Sequence, residues 1–265
     1  MLVAREEARA TSCREGSSNR PTDKVPVVTR DEAGKSSPTR VAAETVVLVL
    51  VAIVLAVVVK TFFVQAFYIP SGSMEPGLKV NDRILVEKPS YWGSNGPSRG
   101  DVIVFKDPGG WLTPADDAGP TGGLPSLLAK IGLYPTGGHL VKRVIGVGGD
   151  KVVCCDDQGR ISVNGQPLDE DSYIAPQRSC NGPMAGCSGW SATVPKGELF
   201  VMGDNRSDSA DSSCHLRVNG NASCPSGEAF VPVSDVVGKV FSLVWPASNA
   251  KWIHRPADFA KIPTP

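Results

Sequence analysis

Histidine is nearly absent from this chain, with three in 265 residues, at positions 139, 215 and 254. That leaves few ordinary general bases and argues against a histidine-rich metal centre. No C-x-x-C pair occurs among the seven cysteines, so a structural zinc site finds no support either. The nucleophile elbow G-x-S-x-G, an S-x-x-K starting from Ser71 or Ser73, and the EF-hand calcium spacing are all missing. These absences remove an α/β-hydrolase, a β-lactamase-type site and a calcium loop from consideration. Net charge is zero, so charge gives no argument for a nucleic-acid partner. No internal repeat is visible, and long apolar runs are limited to one.

That run is Val46 to Val59, composed of Val, Leu, Ile and Ala alone. It extends over 42–64 if Glu44 and Lys60 reach toward the two interfaces. Phe62, Phe63, Phe67 and Tyr68 then form an aromatic group at the far interface. A cleaved signal peptide is the rival reading, because Val64-Gln65-Ala66 has a small-residue character. The long polar segment before the run, and Lys60 between core and site, favour an uncleaved anchor over 42–66. Residues 1–41 are polar and aperiodic, and are predicted to be a disordered tail. Arg30, Lys35 and Arg40 put that tail in the cytoplasm by the positive-inside rule, against the dilution by Asp31 and Glu32 and by Lys79 and Arg83 on the far side.

Six cysteines follow the run and one precedes it, which fits disulfides in an oxidising compartment beyond the membrane. Cys180 with Cys187, and Cys214 with Cys224, sit in short loops rich in Gly, Ser and Asn and are the expected pairs. Cys154 and Cys155 are adjacent, should point to opposite faces of a strand, and are left unassigned.

Gly (28) and Pro (22) are abundant, which favours short strands and turns over a helix bundle. Strands are predicted within 83–88, 100–106, 139–147, 151–153, 161–163, 199–202 and 236–244. The fold class is therefore mainly β: one N-terminal transmembrane helix, then an extracytoplasmic antiparallel β-sheet domain over 67–265. Residues 107–138, rich in Gly, Pro and Asp, read as an insertion with a short helix over Ser126–Leu133. Residues 150–200 read as a smaller β subdomain.

Between anchor and first strand lies Ile69-Pro70-Ser71-Gly72-Ser73-Met74-Glu75-Pro76-Gly77-Leu78. Two prolines stiffen this stretch and Gly72 permits close approach, so a stiff extended loop presenting the Ser73 hydroxyl is predicted. Alone, such a stretch is equally an ordinary turn. A nucleophilic serine needs a base. His215 sits beside Cys214 in an expected disulfide loop, and His254 lies in a polar tail. Two candidates remain, His139 and Lys142, whose odd spacing puts them on opposite faces of a strand. Lys142 has Val141 and Val144 as neighbours. To serve as a base near neutrality its pKa would have to fall from about 10.4 to about 7, a differential stabilisation of roughly 4 kcal/mol that burial can supply.

Taken together, these stretches resemble bacterial type I signal peptidases (leader peptidases), membrane-anchored serine proteases of the Ser/Lys class. The resemblance rests on four motifs in order: Pro-Ser-Gly-Ser-Met at 70–74; Gly-Asp-Val-Ile-Val-Phe at 100–105; Lys-Arg-Val-Ile-Gly at 142–146 with Gly149-Asp150; and Gly-Asp-Asn-Arg at 203–206 with Ser209, Asp211 and Ser212. It implies Ser73 as nucleophile and Lys142 as general base. Ser71 would help hold the oxyanion, and Ser209 would hydrogen-bond and orient Lys142. Asp204, Arg143 and Asp211 would support the site, and Ile69, Met74, Leu78 and Val141 would line shallow substrate pockets. One departure stands out: Ser213 occupies the position where the family has an arginine paired with the aspartate matching Asp211. Arg217, Arg143 or backbone donors are the candidate replacements.

The resemblance further implies a bacterial cell-membrane enzyme that crosses once and cuts secretory preproteins after small residues at −3 and −1. Its partners would be signal peptides and membrane lipid; no metal, cofactor or nucleic acid is implied. About nine residues separate Val64 from Ser73, at most ~30 Å of chain, which keeps the nucleophile close to the bilayer. Rival readings are a self-cleaving repressor-type Ser/Lys protease, which would lack the anchor, an inactive relative, and a non-enzymatic membrane-anchored β module that binds an envelope partner.

Overall fold

An apolar run that shows no polar face must either be buried in protein or face lipid. Helix α1 (Pro38–Phe62) is such an element. It spans 25 residues, roughly 37 Å of helix, enough to cross a bilayer. Its membrane-length stretch, Pro38–Lys60, has a mean hydropathy of 2.9 and none of it is covered by the rest of the protein. The structure is a computed structural model that describes residues 37–93, 95–112, 138–176, 189–217 and 227–265, together with Gly123 and Cys224. The expected helix over 126–133 and the Cys180–Cys187 pair lie outside the described residues. Contacts divide the chain at Val47/Leu48, and everything from Leu48 onward forms one unit.

The helix ends earlier than expected. Phe62 is its last residue, and Val64–Tyr68 is strand β1 rather than membrane segment. The reason is pairing: Val64 through Tyr68 run antiparallel to Glu87 through Arg83 of β2 (Arg83–Glu87). The larger sheet continues with β3 (Val102–Lys106), β4 (His139–Val147), β9 (Glu198–Met202), β10 (Val231–Pro232), β11 (Val236–Trp245) and β12 (Lys251–Trp252). Its order is β1-β2-β11-β3-β4-β9-β10, with β12 beside β11 and every pairing antiparallel. A second antiparallel sheet holds β5 (Lys151–Cys154), β6 (Ser162–Val163), β7 (Gln166–Pro167) and β8 (Trp190–Thr193), in the order β7-β6-β5-β8.

β3 shows why the sheet has no wet face at its centre. All four residues Val102–Phe105 are buried, and side chains alternate along a strand. Val102 and Val104 join one core with Phe67, Ile69, Met74, Leu78, Ile84 and Val86. Ile103 and Phe105 join another with Trp111, Val144, Leu199 and Val201. β9 repeats the logic: Phe200 and Met202 turn from that second core to a third, which covers the smaller sheet with Ile145, Val152 and Trp190. The Ser73 loop hangs from the first core.

Cys214 and Cys224 are joined, the pair read from their loop. Cys154 and Cys155 are joined to each other. The opposite-face expectation fails because β5 stops at Cys154, so Cys155 has left the strand and its alternation.

Candidate active site

Three segments build the site. The first is the loop after β1. Ile69 prolongs the strand pairing by donating its N–H to Asp82 O (2.9 Å) and accepting from Asn81 N–H (3.0 Å). Ser71 is extended, with φ −129° and ψ 158°. The chain then tightens into one 3₁₀ turn over Gly72–Met74, closed by Glu75 N–H to Gly72 O (3.0 Å), rather than staying extended throughout. Met74 and Leu78 sink into the core and drive this turn, and Leu78 N–H donates to Met74 O (2.9 Å).

The second segment is β4. Lys142 pairs across the ladder with Ile103 and is 3% exposed. Its Nζ donates to Ser73 Oγ at 2.6 Å, and Ser73 is itself 8% exposed. Burial pushes the Lys142 ammonium down to about 8, while Asp211, Asp204 and Asp208 pull it back up; burial wins. A lysine near 8 exchanges its proton close to neutrality, and once neutral it accepts from the Ser73 hydroxyl across the same contact.

The third segment is 203–213. Asn205 clamps the Ser73 turn: its N–H donates to Ser73 O (3.0 Å) and its side chain to Gly72 O (3.2 Å). Gly203 lies so close that a Cβ there would stand 2.6 Å from Ser209 Cβ and collide with Ser73 O. Only glycine fits this approach. Asp211 caps helix α2 (Ser212–His215) and is fully buried. Its Oδ2 accepts from Ser209 Oγ (2.6 Å) and Gly203 N–H (2.9 Å), and its Oδ1 from Ser213 Oγ (2.6 Å) and Ser213 N–H (3.0 Å).

This arrangement corrects one expectation and decides among the alternatives of another. Ser209 gives its hydroxyl to Asp211, and among the described residues no hydrogen bond joins it to Lys142. Of the candidate replacements for the family arginine, backbone donors are the ones found: Gly203 N–H and Ser213 N–H hold Asp211, joined by the Ser209 and Ser213 hydroxyls, and neither Arg217 nor Arg143 does so. Arg143 instead makes a two-pronged pair with Asp204 (2.8 and 2.7 Å) and donates to Gly100 O (2.9 Å). The Arg143 guanidinium lies 4.5 Å over the Tyr173 ring. Tyr173 donates to Glu170 (2.7 Å), and Glu170 accepts twice from Arg206 (2.7 and 2.6 Å). Glu170, Tyr173, Asn205 and Gly203 carried no assigned role in the sequence reading. The first two lie in a stretch without periodicity, and only the fold brings them under 203–206.

Above Ser73 and Lys142 opens a cleft of about 370 Å³. Ser71, Ile69, Met74 and Val141 line it together with Phe67, Tyr68, Leu140 and His139. Ser71 Oγ stands 3.3 Å from Ser73 Oγ. Leu78, expected in the pocket wall, is instead buried in the core beneath. His139 and Lys142 both border the cleft from opposite faces of β4, as expected: Val141, on the face of His139, packs on the first core, and Leu140 and Val144, on the face of Lys142, pack on the second. Among the described strands, β3 pairs with β4 from His139 to Arg143, and β9 pairs with it only from Arg143 onward. The facing wall, 67–71, belongs to β1 and its continuation, the end strand of the same sheet.

The family model for signal peptidase, peptidase S26, matches residues 42–245 of this chain. A probable signal peptidase I of Mycobacterium leprae (strain TN) is 41% identical over 238 residues, 82% of this chain and 81% of that protein. The signal peptidase I of Mycobacterium tuberculosis (strain H37Rv) is 40% identical over 221 residues, 78% of this chain and 73% of that protein. A crystal structure of a signal peptidase I from Enterococcus faecalis V583 aligns with a TM-score of 0.31 at 23% identity, covering 54% of this chain and 95% of that one, too loose a superposition to carry an argument. With the family model spanning most of the chain, and relatives of this similarity over most of their own length, the chain belongs to the signal peptidase family, peptidase S26.

Proposed function

We propose that this chain removes signal peptides from secreted preproteins with a Ser73–Lys142 dyad. The observation that carries the reading is the 2.6 Å contact between a buried lysine and a serine at the floor of a cleft walled by two strands of the larger sheet. An extended peptide entering that cleft would lie along β1 and its continuation, the end strand of the larger sheet, where a chain can add itself as a further strand.

Neutral Lys142 takes the proton of the Ser73 hydroxyl. Ser73 Oγ forms a bond to the scissile carbonyl carbon, and the carbonyl oxygen becomes an oxyanion. The Ser73 N–H and the Ser71 hydroxyl are the donors for it, the latter by rotation from its present 3.3 Å contact. The C–N bond then breaks, and Lys142 returns its proton to the leaving amine. A water, deprotonated by Lys142, hydrolyses the ester and restores both residues. Ile69, Met74 and Val141 leave limited room beside Ser73, which favours small side chains at −1 and −3 of the substrate.

Helix α1 anchors the enzyme in the bacterial cell membrane as its single crossing, with the N-terminus cytoplasmic and residues 67–265 outside. Holding enzyme and signal peptide in one lipid plane raises their effective concentration. The test is the full chain reconstituted in liposomes with a model preprotein, the cut located by product mass. Cleavage at one bond, with small residues at −3 and −1, is expected. Cleavage elsewhere, or none, overturns the proposal.

A further inference from the structure

The Gly/Pro-rich insertion lies outside the stretches that match the family motifs, yet its described root reaches the cleft. Asp107 organises that root. Its Oδ1 accepts from Gly109 N–H (2.9 Å) and Trp111 N–H (3.1 Å), and its Oδ2 from Leu112 N–H (3.1 Å). Asp107 N–H also donates to Gly138 O (3.2 Å), which ties the root to the residue before β4. Trp111 pins the turn from the other side. It is 8% exposed, meets Phe105 edge-on at 5.8 Å, stacks on His215 at 4.9 Å, and donates from Nε1 to Glu228 O at 2.7 Å. Leu112, the next residue, is half-buried and lines the cleft.

We propose that Leu112 is a specificity-determining residue, setting the size of substrate side chain accepted upstream of the scissile bond; this rests on the peptidase reading above. Its place along the cleft follows from the register. Leu112 lines the same cleft as Gly138 and His139, where β4 begins, and Asp107 ties its turn to Gly138 O; Lys142 is three residues further along that strand. At about 3.3 Å per residue this is roughly 10 Å from the reacting atoms. An extended substrate covers that distance in three residues, so Leu112 meets the side chain at −3 or −4. A leucine fixed by its own backbone bond and by an adjacent anchored tryptophan is a rigid wall, and a rigid apolar wall discriminates by volume.

The experiment uses the full chain and a preprotein series with alanine or leucine placed singly at each position from −5 to −1. Leu112→Ala is expected to raise the relative kcat/KM for leucine over alanine at −3 or −4 about tenfold and leave −1 unmoved. Leu112→Phe is expected to lower it. Unchanged ratios, or an equal change at every position, overturn the proposal. A second arm does not depend on cleavage. A photo-crosslinking residue at −3 or −4 of a signal peptide, bound to Ser73→Ala enzyme, should attach within 107–112. Attachment elsewhere overturns the placement of Leu112, whereas failure of the unaltered enzyme to cut anything counts against the peptidase reading alone.

Discussion

Lys142 Nζ lies 2.6 Å from Ser73 Oγ, and both residues are buried. Few surroundings would keep a lysine there. Removing the ammonium from water is costly, and Asp211, Asp204 and Asp208 offset only part of that cost, so its proton is held weakly, with a pKa of about 8. In the proposed mechanism the active form is the neutral amine. Activity should therefore fall about tenfold for each pH unit below roughly 8. A kcat/KM profile between pH 6 and 10 on one preprotein checks this. A flat profile across pH 6 to 8 would remove Lys142 from the role of base.

The same burial makes the lysine a burden on the fold. In the unfolded chain Lys142 stays charged up to about 10.5, and in the folded chain only below about 8. Between those values the unfolded state binds more protons, so stability rises with pH, and below 8 the full cost is present. Lys142→Met should abolish activity yet stabilise the protein by up to roughly 3 kcal/mol at pH 6, the gain shrinking as pH approaches 10. Urea unfolding at three pH values measures it.

Asp211 should act on both geometry and charge. Its carboxylate accepts four hydrogen bonds and favours the charged form of Lys142. Asp211→Asn keeps the shape but turns an amide toward donors, at a cost of about 1–3 kcal/mol. With the charge gone, the acidic limb should move to lower pH while kcat drops. A limb that moves to higher pH would contradict the account.

Gly203→Ala tests the close approach of the 203–213 segment to Ser73, the proposed nucleophile. The added methyl group meets Ser209 and Ser73 O, and something must shift. A displacement of the nucleophile by about 1 Å should lower kcat on the order of 10²-fold. Circular dichroism on the same sample separates this from unfolding.

Much of this was legible in the sequence, for physical reasons that differ by element. Val46–Val59 has no polar face, and β4 and β11 are long apolar strands bounded by turns, so their positions follow from pattern alone. The expected anchor over 42–66 takes in the first three residues of strand β1, because Val64-Gln65-Ala66 follows the apolar run without a turn signal and only the ladder with β2 sets it apart. Ser73 and Lys142 were findable because the motifs around them are local. The Arg206–Glu170–Tyr173–Arg143–Asp204 network was not, since every contact in it except Tyr173 to Glu170 joins residues distant in sequence. Ser213 in place of an arginine looked like a gap. In the fold it supplies two of the four donors to Asp211, since Ser213 is the second residue of the helix that Asp211 caps and lies within reach of the capping carboxylate.

The measurement that bears most directly on the dyad is cleavage of one preprotein by the parent chain beside Ser73→Ala, Lys142→Ala and His139→Ala. The account predicts loss of activity in the first two, with His139→Ala still cutting at the same bond, because Lys142 is the group hydrogen-bonded to Ser73. Retained activity in Lys142→Ala, together with loss in His139→Ala, would contradict it and make the histidine the base.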